Sequence, residues 1–169
     1  KKVLTKKNSF DKIKKLKYMK KRLFLSKEEY KEYEFVVVLG RAKYNVDALM
    51  EYNKFDNIEV LYDVSNMPEI MSSCDVGITS RGRTGYELAI LGIPSISMAQ
   101  NHREEKHGFV CNENGFSYIG LNPEDEVIKA TLDMYLNMSQ KGRKHYQEML
   151  LSHDLRGGRK RVMSLIKGL

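Results

Sequence analysis

Apolar and polar positions along the chain alternate between two periods, and the alternation itself predicts the architecture. Phe35-Val36-Val37-Val38-Leu39 is a continuous apolar run closed by Gly40, the pattern of a strand buried on both faces. Ile58 to Tyr62, residues 75 to 79, residues 93 to 98 and Phe116 to Leu121 repeat that pattern. Between them the spacing lengthens to a helical one over residues 45 to 53, Asn66 to Ser73, 83 to 91 and from Asn101 to about Asn112. Asn66-Met67-Pro68-Glu69 and Asn101 with Glu104 are capping patterns, as is Ser26-Lys27-Glu28-Glu29, which predicts another short helix. Asn122-Pro123-Glu124-Asp125 joins an Asn cap to a Pro at the first helical position, and helices are expected at 124 to 137, 139 to 151 and 155 to 167. Strands alternating with helices at this spacing predict an α/β fold, a Rossmann-like doubly wound parallel sheet with helices on both faces. Ligands are then expected at the carboxyl ends of the strands.

The amino-terminal segment reads differently. Phe10, Ile13, Leu16, Met19, Leu23 and Phe24 stand close to helical spacing, with lysines over the other face, so residues 9 to 25 predict a helix. Residues 1 to 31 hold thirteen Lys or Arg against three acids, whereas the whole chain carries a net charge of +7. The basic character therefore belongs to residues 1–32, and residues 33–169 form the Rossmann-like part. Without aromatic interleaving the basic run does not read as a nucleic-acid binder. A solvated helix face or weak peripheral contact of this helix with an acidic membrane surface are the readings left open. With 169 residues and 41% hydrophobic content, one core is expected, and no apolar run is long enough to span a membrane. Cys74 and Cys111 lack ligand spacing and read as buried thiols of a cytoplasmic protein. The start at Lys1, without Met or a signal pattern, reads as a piece of something longer.

Candidate chemistry gathers in two places. No GxxxxGK[ST] loop occurs and no strand runs into GxGxxG, so P-loop hydrolysis and ordinary dinucleotide binding are disfavoured, and no cofactor is expected. The turn Ser80-Arg81-Gly82-Arg83-Thr84 lies between a strand and a helix, where backbone amides and a helix dipole converge on an anion. Glu87 shares the helix face of Arg83 and Thr84, where a carboxylate can accept both hydroxyls of a ribose. The alternative is structural: Ser80 and Thr84 cap the helix while Arg83 and Glu87 pair on its surface. The second cluster, Gln100 to His107, follows the next strand and belongs to the same edge of the sheet. Its histidines, five apart, do not fit one helix face, and no HExxH occurs, so no metal site is expected.

Four blocks, Asn66 to Met71, Cys74 to Ile78, Ser80 to Glu87 and Leu91 to Ser95, together resemble the C-terminal half of GT-B nucleotide-sugar enzymes. The types most similar are the N-acetylglucosaminyltransferase of peptidoglycan synthesis and the UDP-sugar hydrolase of pseudaminic acid synthesis. The Gln100-Asn101-His102-Arg103-Glu104 sequence is most similar to hydrolase-like domains fused behind sialic-acid-type cytidylyltransferases. The resemblance implies a UDP or UDP-sugar partner, with Ser80, Arg81, Gly82, Arg83 and Thr84 at the diphosphate and Glu87 at the ribose. It places Gln100, Asn101 and Glu105 at the sugar and Gly40 where the uracil pocket begins. It also implies that the catalytic base lies in an N-terminal domain outside this chain, so no catalytic residue is assigned. The family's opening strand and Gly-Gly turn are missing from the pattern, replaced by the lysine-rich helix. That absence leaves a rival open, a non-catalytic accessory domain of a cytidylyltransferase, with a homodimer formed where the strand belongs.

Overall fold

The structure, a computed structural model, describes residues 12–14, 25, 28–43 and 45–168. Six strands form one sheet: β1 Lys12–Lys14, β2 Glu34–Leu39, β3 Ile58–Tyr62, β4 Val76–Ser80, β5 Ser95–Ala99 and β6 Phe116–Leu121. The order is β3-β2-β1-β4-β5-β6 and every pairing is parallel. Helices α1 Val46–Met50, α2 Met67–Ser72, α3 Arg83–Ile90, α4 His102–Glu105, α5 Asp125–Leu136, α6 Gln140–Leu151 and α7 Gly158–Lys167 complete the chain. The Rossmann-like doubly wound sheet predicted from periodicity is the observed one.

Two apolar layers hold the helices. Val76, Ile78, Ile96 and Met98 pack with Ile128, Leu132 and Tyr135 of α5 and Leu49 of α1. Leu88 of α3 packs with Met71 of α2 and Ile93, while Ala89, Val110, Phe116 and Leu150 of α6 form a further cluster. Buried Tyr30, in a 3-10 turn before β2, donates its hydroxyl to Asp133 of α5 at 2.5 Å. Asn57 adds bonds from its amide to the carbonyls of Leu25 and Tyr30, at 3.0 and 3.1 Å. These polar ties anchor the segment before β2 to α5 and to the start of β3.

The largest correction concerns the amino-terminal segment. Helix was expected over residues 9 to 25 and the family's first strand was expected to be missing. Instead Lys12–Lys14 is a central strand, with Ile13 opposite both Phe35 and Val76. The reason lies in pairing: a vacancy between β2 and β4 would leave two rows of interior backbone donors and acceptors unmatched. Short apolar spacing does not separate strand from helix, and only the distant partners decide. The rest of the predicted basic helix lies outside the described residues. Of the Ser26-Lys27-Glu28-Glu29 pattern, Glu28–Tyr30 is a single 3-10 turn, and Ser26 and Lys27 lie outside the described residues.

Two further boundaries moved. The helix after β5 stops at Glu105 instead of about Asn112, because Phe109 and Val110 must enter the core. Phe109 stacks on Tyr86 at 4.6 Å, and Val110 is wholly buried. Asn122 does not cap α5; it turns left-handed (φ 43°) and its N–H pairs with the Ala99 carbonyl, leaving Glu124 as N-cap.

Burial, followed by the bond to Asp133, pushes the Tyr30 hydroxyl from 10.0 up to about 12. The unfolded chain therefore loses this proton at lower pH than the folded one, and stability is lost as pH rises through that interval. Burial also raises Tyr33 and Tyr135, so chemical denaturation at pH 9 to 12 is expected to show this decline and Tyr30→Phe to lessen its slope without abolishing it.

Candidate functional site

The strand order reverses between β1 and β4, so the carboxyl end of β4 borders the switch point of the sheet. There the chain makes a tight turn. Arg81 N–H extends the ladder to the Met98 carbonyl (2.9 Å), Gly82 N–H folds back to Ser80 O (2.8 Å), and Gly85 N–H reaches Gly82 O (3.0 Å). Gly82 is the N-cap of α3 in extended conformation, and no side chain caps the helix. The amides of Arg83 and Thr84 precede the first helical hydrogen bond and have no acceptor among the described residues.

The structural alternative for this turn is not realised. Neither the Ser80 nor the Thr84 hydroxyl caps α3, and no ion pair joins Arg83 to Glu87 among the described residues. Arg83 and Glu87 are exposed, while Ser80, Gly82 and Thr84 are half-buried. Two hydroxyls, two amides, a cation and a carboxylate thus stand along one helix end with no hydrogen bond or ion pair to the described residues.

Arg81 is placed differently from Arg83. Its Nη1 donates to the Glu105 carbonyl at 3.0 Å, and its guanidinium lies over the Tyr118 ring at 4.1 Å. The Cys111 thiol, then the backbone N–H of Glu113 and, as the smallest contribution, the Arg81 charge hold the Glu113 carboxyl under its ordinary value. Burial pushes the Cys111 thiol upward, and Glu113 adds to that.

The second cluster comes to the same edge through α4. Asn101 Oδ1 accepts the Glu104 N–H, and Glu104 reaches back to the Gln100 N–H, both at 3.0 Å. Glu105 pairs with His102 Nδ1 at 2.7 Å on the surface. So Asn101 and Glu105 use their side chains within their own turn, and Gln100 stands half-buried at the end of β5. The role of Tyr118 carried no sequence signal, because β6 meets Arg81 only through sheet pairing; the Asn101–Glu104 cap was legible as a local spacing. Among the described residues no group of three His, Cys, Asp or Glu is placed to hold a metal. None of their helices is long and apolar enough to cross a membrane. A cleft of about 740 Å³ lies at the opposite, amino-terminal edge of β4 and β5, between Asp75, Pro94, Lys141 and Lys144.

Known proteins share this fold. MurG of Acinetobacter baumannii superposes with a TM-score of 0.63 at 15% identity, over 96% of this chain and 51% of that one. HepE of Anabaena, solved in complex with UDP and glucose, gives 0.62 at 14% identity, over 93% and 48%. The chain has the Rossmann-like fold of these GT-B proteins. In sequence it is 34% identical over 108 residues to the UDP-N-acetylglucosamine–N-acetylmuramyl-(pentapeptide) pyrophosphoryl-undecaprenol N-acetylglucosamine transferase of Leuconostoc citreum. That match covers 61% of this chain and 28% of the transferase. An uncharacterized protein of Methanocaldococcus jannaschii is 35% identical over 109 residues, covering 60% of this chain and 21% of its own length. The chain thus spans about half the length of the solved structures and about a quarter of the curated relatives it matches. No family model matches it.

Gly82 carries a test of whether the turn is built for folding. Its φ of −147° suits any residue, and an added Cβ would meet nothing nearer than Ser80 Oγ at 3.8 Å. At Gly85 a Cβ would stand 2.6 Å from Val110 Cγ2. Gly82→Ala is therefore expected to change unfolding free energy by less than about 0.5 kcal/mol, and Gly85→Ala to lower it by about 1–2 kcal/mol in urea titrations.

Proposed function

We propose that the chain is the nucleotide-sugar-binding C-terminal half of a GT-B-like glycosyltransferase or hydrolase. Its ligand is UDP or a UDP-sugar, used in the cytoplasm for bacterial surface sugars of the nonulosonic acid type. The observation that carries this reading is the β4–α3 turn, where donors unused by the fold meet at the switch point. HepE, with the same fold, was solved with UDP and glucose and with UDP-glucose, and the Leuconostoc transferase is named for a UDP-linked sugar.

In this reading the amides of Arg83 and Thr84, the hydroxyls of Ser80 and Thr84, and the Arg83 guanidinium take the diphosphate. Gly82 lets it approach the backbone, and Glu87 accepts the ribose hydroxyls from the exposed face of α3. Gln100, Asn101 and Glu105 stand at the sugar. When the anomeric C–O bond breaks, its electron pair moves onto the diphosphate oxygen, and donors already aimed there stabilise that charge. The new oxygen comes from an acceptor hydroxyl or from water, and its proton goes to a base in the other half of the enzyme.

A second reading makes the chain an accessory or oligomerisation domain of a multidomain CMP-sugar cytidylyltransferase. The ground given for it by the sequence, an open place for the first strand, is removed by β1. It retains one observation: Val162, Met163, Leu165 and Ile166 of α7 are 45–72% exposed. If that face joins two copies, wild type sediments as a dimer and Leu165→Ser with Ile166→Ser sediments as a monomer. A monomeric wild type ends this reading.

For the main reading, UDP titrated into the ¹⁵N-labelled chain is expected to shift amides of residues 80 to 88, with Glu87→Ala abolishing the response. Unmoved amides at millimolar UDP would refute it.

A further inference from the structure

Arg81 and Arg83 flank the same glycine, yet the fold treats them oppositely. Arg83 opens α3 and is exposed with no ion pair among the described residues. Arg81 is still on the line of β4, since its N–H bonds to Met98 O as the next rung of the ladder. Alternation along an extended backbone puts its side chain on the face of Thr79, away from Ser80. In the sheet Thr79 pairs with Ser97 and Ser97 with Tyr118, so that face leads from β4 across β5 to β6. Arg81 follows this path, stacks on Tyr118, and donates to the carbonyl of Glu105, the last residue of α4. Its Nε is buried and has no hydrogen-bond partner among the described residues, so water no longer serves that side of the guanidinium.

We propose that Arg81 is a positioning residue: its guanidinium, bonded to the Glu105 carbonyl and stacked on Tyr118, fixes the α4 loop against the β4–α3 turn. This rests on the reading of the turn as a UDP-sugar site and assigns its two arginines separate tasks. Arg83 meets the diphosphate. Arg81 sets the distance between the diphosphate turn and the Gln100 to Glu105 wall that faces the sugar. The task requires arginine, because a planar fork can stack on a ring and aim one N–H at a carbonyl simultaneously. Lysine keeps the charge and loses both contacts. Asn112 supports the arrangement from the far side by accepting the Tyr118 N–H at 2.8 Å, which holds the start of the preceding 3-10 turn to β6.

The experiment compares the full chain with Arg81→Lys, Tyr118→Leu, Tyr118→Phe and Arg83→Gln, by ¹H–¹⁵N spectra without ligand and then with UDP or inorganic pyrophosphate. Arg81→Lys and Tyr118→Leu are expected to shift amides 101 to 107 before any ligand is added, and to weaken UDP about tenfold. Tyr118→Phe keeps the ring and should match wild type in both measurements. Arg83→Gln should leave amides 101 to 107 in place and weaken UDP and pyrophosphate alike. If Arg81→Lys leaves amides 101 to 107 unmoved and binds UDP as wild type does, the proposal is overturned. It is equally overturned if Tyr118→Leu shifts no amide of α4. Failure of UDP and pyrophosphate to bind wild type would refute the functional reading, while the ligand-free spectra still decide whether Arg81 holds α4.

Discussion

The seating of α3 on the sheet is the constraint on which the candidate site depends. Two glycines permit it. At Gly77 of β4 a Cβ would stand 2.7 Å from Ser95 Oγ and 2.9 Å from Leu88 Cδ1, and at Gly85 one would collide with Val110. With those side chains absent, Leu88 and Ala89 are fully buried and the helix lies close along β4 and β5. Packing this tight leaves α3 a single height and direction. Its amino end, where the helix dipole is positive, is thereby fixed beside Ser80 at the carboxyl edge.

Around that helix end the chain separates groups that hold the fold from groups it leaves unused. Asn101 and Glu104 close the start of α4, Glu105 pairs with His102, and Arg81 is spent on Glu105 and Tyr118. Ser80, Arg83, Thr84 and Glu87 take no such part. A cleft of about 740 Å³ lies at the other edge of the sheet and includes none of these groups.

Legibility in the sequence followed the locality of the cause. The strand Ile58–Tyr62 and the strand Phe116–Leu121 were readable to the residue, because apolar runs there end in turn chemistry. The start of α6 was equally plain, since Ser139 accepts the Gly142 N–H three residues on. β1 was not readable, because only its register with Phe35 and Val76 distinguishes Lys12–Lys14 from a helix. The end of α4 was set by the demand of Tyr86 and the core for Phe109 and Val110. At the site, the turn and Glu87 were visible as a strand–turn–helix pattern. The different duties of Arg81 and Arg83 were not, since they depend on a tyrosine two strands away.

The strand that completes the sheet also divides it. β1 pairs with β2 on one side and with β4 on the other. β3, β2 and β1 thus lie on one side of the switch point, and β4, β5 and β6 on the other. A ligand at the switch point would rest against both halves of the sheet and act as a staple, holding them together from outside.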